Sequence, residues 1–146
     1  YKIFSFELKI ELNYSTLREY YFQAVSNSSW AHKGYLAVLK MEDSDDFYDE
    51  LRRLNNAFGI GIIKINTKNV SQSEILFQAR ERLNLDWDTI NRLVKENKDF
   101  ESFIGDVLLD SSNNDKRLIG KYDDIFGSDE EAYDYSKAKG IINYLD

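Results

Sequence analysis

The chain has 146 residues, of which 42% are hydrophobic and 31% charged, and its formal net charge is −7. This length and composition are typical of one folded domain with a buried core, and no apolar run reaches the roughly 20 residues that a membrane helix needs. The acidic balance argues against a generally basic nucleic-acid binder. The chain has no Cys, which excludes disulfides and thiolate metal sites and favours a cytoplasmic protein.

The negative charge belongs to the second half of the chain. Residues 1–70 carry nine Lys or Arg and nine Asp or Glu, whereas residues 71–146 carry ten against seventeen. Contacts with DNA phosphates would therefore have to use local cations in the first half, and these contacts would be modest and sensitive to salt. Because Tyr1 opens directly into a strand pattern with no initiator Met, we expect a fragment whose upstream sequence is missing.

The first 66 residues alternate between strand and helix patterns. Residues 1–10 predict a strand whose apolar side chains share one face, while Glu7 and Lys9 share the other. Capping residues at 13–16 precede a helix of about 13 residues with apolar side chains at helical spacing. A buried strand over 35–39, a second helix that ends at Gly59 and a strand over 62–65 follow. This order predicts βαβ crossovers and parallel strands.

The later part of the chain has a different pattern. Residues 73–77 predict a short edge strand, and helices are predicted over 87–97, from the cap Asp99 onward, and over 129–139 with an end at Gly140. Asp86 is expected to cap the first of these helices, with Trp87 buried in its first turn. We therefore divide the chain into an α/β core over residues 1–77 and a helical C-terminal extension over 78–146, packed on the same domain.

Glu7 and Lys9 are the residues of the first strand that can carry chemistry. A carboxylate can hold a divalent cation, and a neighbouring ammonium can orient an attacking water or neutralise developing charge, as metal-assisted phosphodiester cleavage requires. Alone, the Glu-x-Lys spacing is a weak signal, because any half-exposed strand face can carry such a pair. Whether the Glu-x-Lys spacing indicates a catalytic site therefore depends on the residues around it.

The first helix has a polar rim that could supply such surroundings. Glu19, Gln23 and Asn27 recur every four residues and therefore lie in line along the helix. If the helix packs beside the first strand, this rim brings an amide and a carboxylate close to Glu7 and Lys9. The alternative is that Gln23 and Asn27 bond to the backbone at the helix rim and that Glu19 is only solvated.

This layout resembles the restriction-endonuclease-like nucleases of the PD-(D/E)xK type, in particular their Mrr-like and RecB-like branches. The sequence is similar, over roughly residues 1–110, to the C-terminal part of HrgA-type proteins, a bacterial restriction-associated family. The segments that carry the similarity are residues 7–9, 18–31, 34–36, 50–55, 59–61 and 85–93.

The resemblance implies a restriction-endonuclease-like α/β fold, a mixed sheet with flanking helices, that cleaves double-stranded DNA with Mg²⁺ or Mn²⁺. It assigns metal binding to Glu7, the role of catalytic lysine to Lys9 and a supporting role to Gln23. Three further residues could support the catalytic residues from behind or contact a phosphate, namely Glu19, Asn27 and Arg52.

Two departures from the family bear on activity. RecB-like enzymes carry a Tyr four residues after the helix Gln, where this chain has Asn27. The family's first Asp lies on a preceding strand that residues 1–146 do not include, so metal binding should need an upstream acidic residue. The resemblance to HrgA-type proteins also implies that the parent protein carries an N-terminal winged-helix module that binds DNA.

We therefore expect the parent to be a magnesium-dependent endonuclease of a bacterial restriction or defence system, and residues 1–146 alone to be inactive. A catalytically silent nuclease-fold module for DNA binding, regulation or dimerisation is the open alternative, and a homodimer is compatible with either. A third alternative is an α/β domain whose likeness to the family is coincidental. No membrane partner is expected.

Overall fold

The computed structural model describes residues 1–113 and 126–138 of the chain. Its strands are β1 (Phe4–Leu12), β2 (Lys33–Met41), β3 (Gly61–Lys64) and β4 (Glu74–Phe77). Its helices are α1 (Leu17–Asn27), α2 (Asp45–Phe58), α3 (Trp87–Glu96), α4 (Lys98–Asn113) and α5 (Asp129–Ala138), with a short 3₁₀ turn at Val70–Gln72. The predicted end of the last helix, at 139–140, lies outside the described residues.

The four strands form one mixed sheet in the order β1-β2-β3-β4. β1 pairs with β2 and β2 with β3 in parallel, whereas β4 runs antiparallel to β3 at the edge. The α/β class, the parallel pairing and the short edge strand predicted from the sequence are confirmed. The continuous apolar run of β2 is explained by burial on both faces of the sheet, because successive side chains from Tyr35 to Val38 point to opposite faces and all are buried.

Two compact units make up the chain, Tyr1–Glu96 and Asn97–Asp146. The boundary drawn from the sequence at residue 77 therefore falls inside the first unit, which also contains α3. Among the described residues, no helix is long and apolar enough to cross a membrane.

The core of the first unit lies on the face of the sheet that α1 and α2 cover. Each large apolar side chain buried there contributes roughly 1.5–3 kcal/mol. The largest fully buried apolar side chains are Tyr21, Phe47, Leu12, Leu17, Leu36, Leu51, Leu54, Ile60, Ile62 and Val38.

β1 presents its polar face to the helices and its apolar face outward. The side chains of Glu7 and Lys9 are only 19% and 22% exposed, whereas Phe6 and Leu8 are 55% and 67% exposed. The register explains this arrangement, because Glu7 lies opposite Leu36 of β2, and residues directly opposite one another share a face. Leu36 belongs to the core under α1 and α2, so Glu7 also faces that side.

The ends of two helices are those predicted from the sequence, and the start of a third differs. Gly59 adopts a left-handed φ of 77° and donates its N–H to Asn55, which ends α2 as predicted. Asp86 caps α3 by accepting the Thr89 N–H at 2.9 Å. The prediction that Asp99 caps α4 is wrong, because the Asn97 side chain accepts the N–H groups of Asp99 and Phe100.

Trp87 does not fill the core as predicted. It is 54% exposed, and the buried residue of α3 is Ile90. Trp87 precedes Ile90 by three residues and lies near it on the helix surface, but other side chains cover only Ile90. A large aromatic residue beside a cap is therefore a poor guide to burial.

Tyr21 carries a buried hydrogen-bonded hydroxyl, and its loss should be measurable. The hydroxyl donates to the Ile60 carbonyl at 3.1 Å and accepts the Ile60 N–H at 3.2 Å, and burial raises the pKa of Tyr21 to about 12. Asn55 also donates to that carbonyl at 2.8 Å. We therefore expect Tyr21→Phe to leave the Ile60 N–H unpaired and to lower the free energy of unfolding by about 1–3 kcal/mol in urea.

The matched control for this variant is Tyr14→Phe, at an exposed tyrosine. Exposed substitutions of this kind change stability by less than about 0.5 kcal/mol. Equal effects of the two variants would contradict the role given to the buried hydroxyl.

Glu50 of α2 makes the stability of the first unit sensitive to acid. Its carboxylate accepts from Arg53 at 2.7 Å and from Arg18 of α1 at 3.2 Å. The Arg53 hydrogen bond, followed by the charges of Arg53 and Arg18, lowers the pKa of Glu50 from 4.5 to about 2. A depressed carboxyl pKa stabilises the folded state above the unfolded pKa, and this contribution is lost as the pH falls from about 4.5 towards 2.

We expect Glu50→Gln to lower Tm near neutral pH, and the difference from the wild type to shrink as the pH falls through that window. Thermal unfolding followed by circular dichroism at a series of pH values measures this difference. Asp43→Asn, at an exposed residue just before α2, is the control. A Glu50→Gln difference that does not change with pH would refute the assignment.

Candidate functional site

β1 and α1 bring Glu7, Lys9 and Asn27 into contact. The Lys9 Nζ lies 2.9 Å from Glu7 Oε1, and Asn27 Nδ2 donates to Glu7 Oε2 at 3.0 Å. Glu7 and Lys9 meet because residues two apart on a strand share a face. We call these three residues the Glu7–Lys9–Asn27 cluster.

The end of α1 is held over β1 by contacts beyond the cluster itself. Ser5 donates its hydroxyl to the Asn27 carbonyl at 3.2 Å. Arg82 donates to the carbonyls of Ser28 and Ala31, at 2.9 and 3.3 Å, just after the helix ends. The bonds to the Asn27 and Ser28 carbonyls satisfy groups that a helix leaves unpaired at its C-terminus, and they limit the movement of Asn27 relative to Glu7.

Tyr20 is a member of the site that the sequence analysis missed. The Lys9 Nζ lies 4.7 Å from the centre of the Tyr20 ring, a cation–π contact worth about 0.5–1 kcal/mol at a partly exposed position. Tyr20 precedes Asn27 by seven residues, which is two helical turns, so both lie on the same side of α1. The seven-residue spacing is visible in the sequence, but the polar rim predicted from it included only polar residues spaced by four.

The electrostatics of the cluster keep Glu7 ionised. The hydrogen bond from Asn27, and next the one from Lys9, lower the pKa of Glu7 below 4.5 against the opposing effect of burial. Because the folded-state pKa is depressed, the stabilising effect of this carboxylate is complete above about 4.5 and is lost as the pH falls through the lowered value. At neutral pH the cluster therefore presents an ionised carboxylate beside an ammonium.

The other predicted site residues lie apart from these contacts. Gln23 is half-buried on α1 and Glu19 is exposed, and neither side chain forms a hydrogen bond or ion pair with residues in the described ranges. Arg52 donates to Asp49 at 2.6 Å on the exposed side of α2 and forms no ion pair with Glu7. Of the six predicted residues, the structure thus joins Glu7, Lys9 and Asn27.

The Glu7–Lys9–Asn27 cluster has too few metal ligands to hold Mg²⁺ by itself. Within residues 1–113 and 126–138, no group of three or more His, Cys, Asp or Glu side chains is placed to bind a metal ion. Both carboxylate oxygens of Glu7 already have partners in Lys9 and Asn27. Because Mg²⁺ demands near-octahedral oxygen coordination, a metal at this position would need ligands beyond the cluster.

Comparisons of the chain with protein-family models, with curated proteins and with solved structures find no match. The resemblance to restriction-endonuclease-like nucleases therefore stays a prediction that rests on the sequence segments named above. Any activity has to be argued from the cluster itself.

Proposed function

We propose that the chain is a restriction-endonuclease-like domain of a bacterial restriction or defence protein that cleaves DNA, with the Glu7–Lys9–Asn27 cluster as one part of the site. The observation that carries the proposal is the contact of Asn27 with a Glu7 carboxylate that also touches Lys9. The Glu-x-Lys spacing is common, but a helix residue bonded to its acid is an arrangement that a merely solvated strand face does not require.

The chemistry proposed for the cluster uses charges that the fold keeps in place. Lys9 would offer its ammonium to a phosphate oxygen and stabilise the negative charge that develops there during hydrolysis. Asn27 would keep the Glu7 carboxylate ionised and oriented. Because both charged side chains are about four-fifths shielded from solvent, their interactions are stronger than those of an exposed pair.

Metal dependence is part of the proposal and requires a further ligand. When bound, Mg²⁺ or Mn²⁺ would supply positive charge and a bound water to the reaction. Glu7 is the cluster's own ligand for it, and an acidic residue outside the described ranges or substrate oxygens would have to complete the coordination.

A catalytically silent module is the second candidate, and the shortage of ligands favours it. The charges of Glu7 and Lys9 neutralise one another at 2.9 Å, and no second carboxylate joins them within the described residues. In this reading the same fold serves DNA binding, regulation or dimerisation in the parent, and the cluster only ties β1 to α1.

Metal titration combined with a nicking assay separates the two candidates. Mg²⁺ and Mn²⁺ are titrated calorimetrically into residues 1–146 and into any longer natural form of the chain, and each is assayed for nicking of supercoiled plasmid at low salt. Glu7→Ala is the test variant. Glu11→Ala, at an exposed acid of the same strand, is the matched control.

The nuclease proposal expects weak or absent metal binding in residues 1–146, and nicking in the longer form that Glu7→Ala abolishes and Glu11→Ala preserves. Nicking that survives Glu7→Ala would overturn the assignment of Glu7. Absence of metal binding and nicking in both forms would favour the silent module.

A further inference from the structure

A cavity of about 390 Å³ lies where β3 ends, and we call it the β3–β4 cavity. Its lining comprises residues 64–68, Gln72 and Glu74, from the end of β3, the loop that follows and the start of β4. The volume is in the range of pockets that hold small ligands. Open α/β sheets bind ligands at the carboxyl ends of their strands. Because β3 runs parallel to β1 and β2, the cavity lies at that edge.

The lining of the β3–β4 cavity suits an anion. Lys64 and Lys68 supply two ammonium groups against the single carboxylate of Glu74, although the whole chain has a net charge of −7. Ile65 is the one apolar residue among those that line the cavity. Pockets for apolar ligands are lined mainly by hydrophobic and aromatic side chains, so an apolar ligand does not fit this lining.

Four donors on residues that line the cavity have no partner among the described residues. Lys64 lies opposite Glu74 in the pairing of β3 with β4, but no ion pair joins them, and Lys68 forms none either. Both lysines are exposed. The hydroxyl and the backbone N–H of Thr67 likewise form no hydrogen bond within the described ranges. Two charged and two neutral donors are therefore available to a ligand.

The loop that carries these donors is held in shape by its own side chains. The side-chain oxygen of Asn66 accepts the N–H groups of Lys68 and Asn69, both at 3.0 Å. The Asn66 N–H donates to the Ser73 hydroxyl at 2.9 Å, and this bond ties the two ends of the loop together. Because the loop is ordered before a ligand arrives, less conformational entropy is lost on binding.

We infer that the β3–β4 cavity binds the phosphate group of a nucleotide. Lys64 and Lys68 donate charge-assisted hydrogen bonds to the phosphate oxygens, and Thr67 donates neutral ones to the same group. A phosphate group offers more acceptor oxygens than a carboxylate, so it matches a set of four donors better. Glu74 repels any anion in the cavity, and this repulsion makes the inference testable in both directions.

A nucleic-acid strand is the source of the phosphate that the strand register favours over a free nucleotide. Lys9 lies opposite Val38, and Val38 lies opposite Lys64, so both lysines are on one face of the sheet. With strands about 4.8 Å apart, the two lysine Cα atoms are separated by roughly 10 Å, about three phosphates along a strand. A strand that occupies the cavity therefore also reaches the Glu7–Lys9–Asn27 cluster. This choice of source rests on the proposed function.

The experiment is a ligand titration of residues 1–146, followed by the amide chemical shifts of the isotope-labelled protein at low salt. The probes are inorganic phosphate, dAMP and an octanucleotide of thymidine, and a chelator removes divalent metal so that no cleavage takes place. We expect saturable shifts centred on residues 64–68. The octanucleotide should bind at least about tenfold more tightly than dAMP, and dAMP more tightly than inorganic phosphate.

Substitutions in the lining test the donors. Lys64→Gln combined with Lys68→Gln should weaken binding about tenfold, because both charged contacts are lost. Glu74→Gln should strengthen binding about twofold, because it removes the repelling carboxylate. The matched control is Lys95→Gln combined with Lys98→Gln, which removes two exposed lysine charges that do not line the cavity. Circular dichroism confirms that each variant is folded.

Equal losses in the lining variant and the control would overturn the inference, as would shifts centred away from the loop after β3. Nucleotides that bind no more tightly than inorganic phosphate would overturn the choice of a nucleotide. Equal affinities for dAMP and the octanucleotide would overturn the choice of a strand. The nuclease proposal fails separately, in the nicking assay with Glu7→Ala, because the titration contains no divalent metal and measures binding alone.

Discussion

Replacing Lys9 with Ala is expected to abolish the proposed metal-dependent DNA cleavage without unfolding the protein. Removing one group that stabilises developing charge lowers rates by about 100-fold or more. The first unit should stay folded, because Asn27 continues to hold Glu7 at 3.0 Å and the lost contact with Tyr20 is weak. Plasmid nicking by the longest natural form gives the rate, and circular dichroism gives the folded fraction.

Lys40→Ala, at an exposed lysine of β2, is the matched control and should keep full activity. Full activity of a folded Lys9→Ala variant would rule out the catalytic assignment.

Replacing Phe47 with Ala should cause the largest loss of stability among the substitutions considered. The ring is fully buried under α2 among the core side chains and contacts Tyr48 edge to face, with ring centres 5.9 Å apart. Truncating a buried Phe to Ala removes its transfer free energy and leaves a cavity, so we expect a loss of about 3–5 kcal/mol in the free energy of unfolding. Urea denaturation followed by circular dichroism measures it.

Phe58→Ala tests whether burial is the cause. Phe58 ends the same helix, but it is 41% exposed and packs its ring against Phe22. Its truncation should therefore cost clearly less than that of Phe47. Similar losses for both variants would mean that α2 does not pack as described.

Most of the first unit was predictable because its signals are local. The apolar run of β2 reports a central strand, and the spacing of Phe47, Leu51 and Leu54 reports the buried side of α2. Gly59 marks the end of that helix because its positive φ suits a residue without a Cβ. These features depend on neighbours within one or two turns of the chain.

The candidate site was predictable only in part. The proximity of Glu7 and Lys9 follows from strand geometry alone. The contact of Asn27 with Glu7 depends on where α1 ends over β1, and the sequence analysis could only offer it as one alternative. Tyr20 was missed because its contact with Lys9 depends on the rotation of α1 about its axis. The position of Arg52 depends on the ion pair that it forms with Asp49 along α2.

The amino-acid sequence by itself determined the order of strands and helices in the first unit, their parallel connection and the pairing of Glu7 with Lys9 on one face. Only the tertiary structure decided which face of β1 is covered. A strand with one apolar and one polar face would usually bury the apolar one, but the crossover through α1 and the register with Leu36 bring the polar face under the helix. The result is a shielded ion pair on one side and an exposed apolar row on the other.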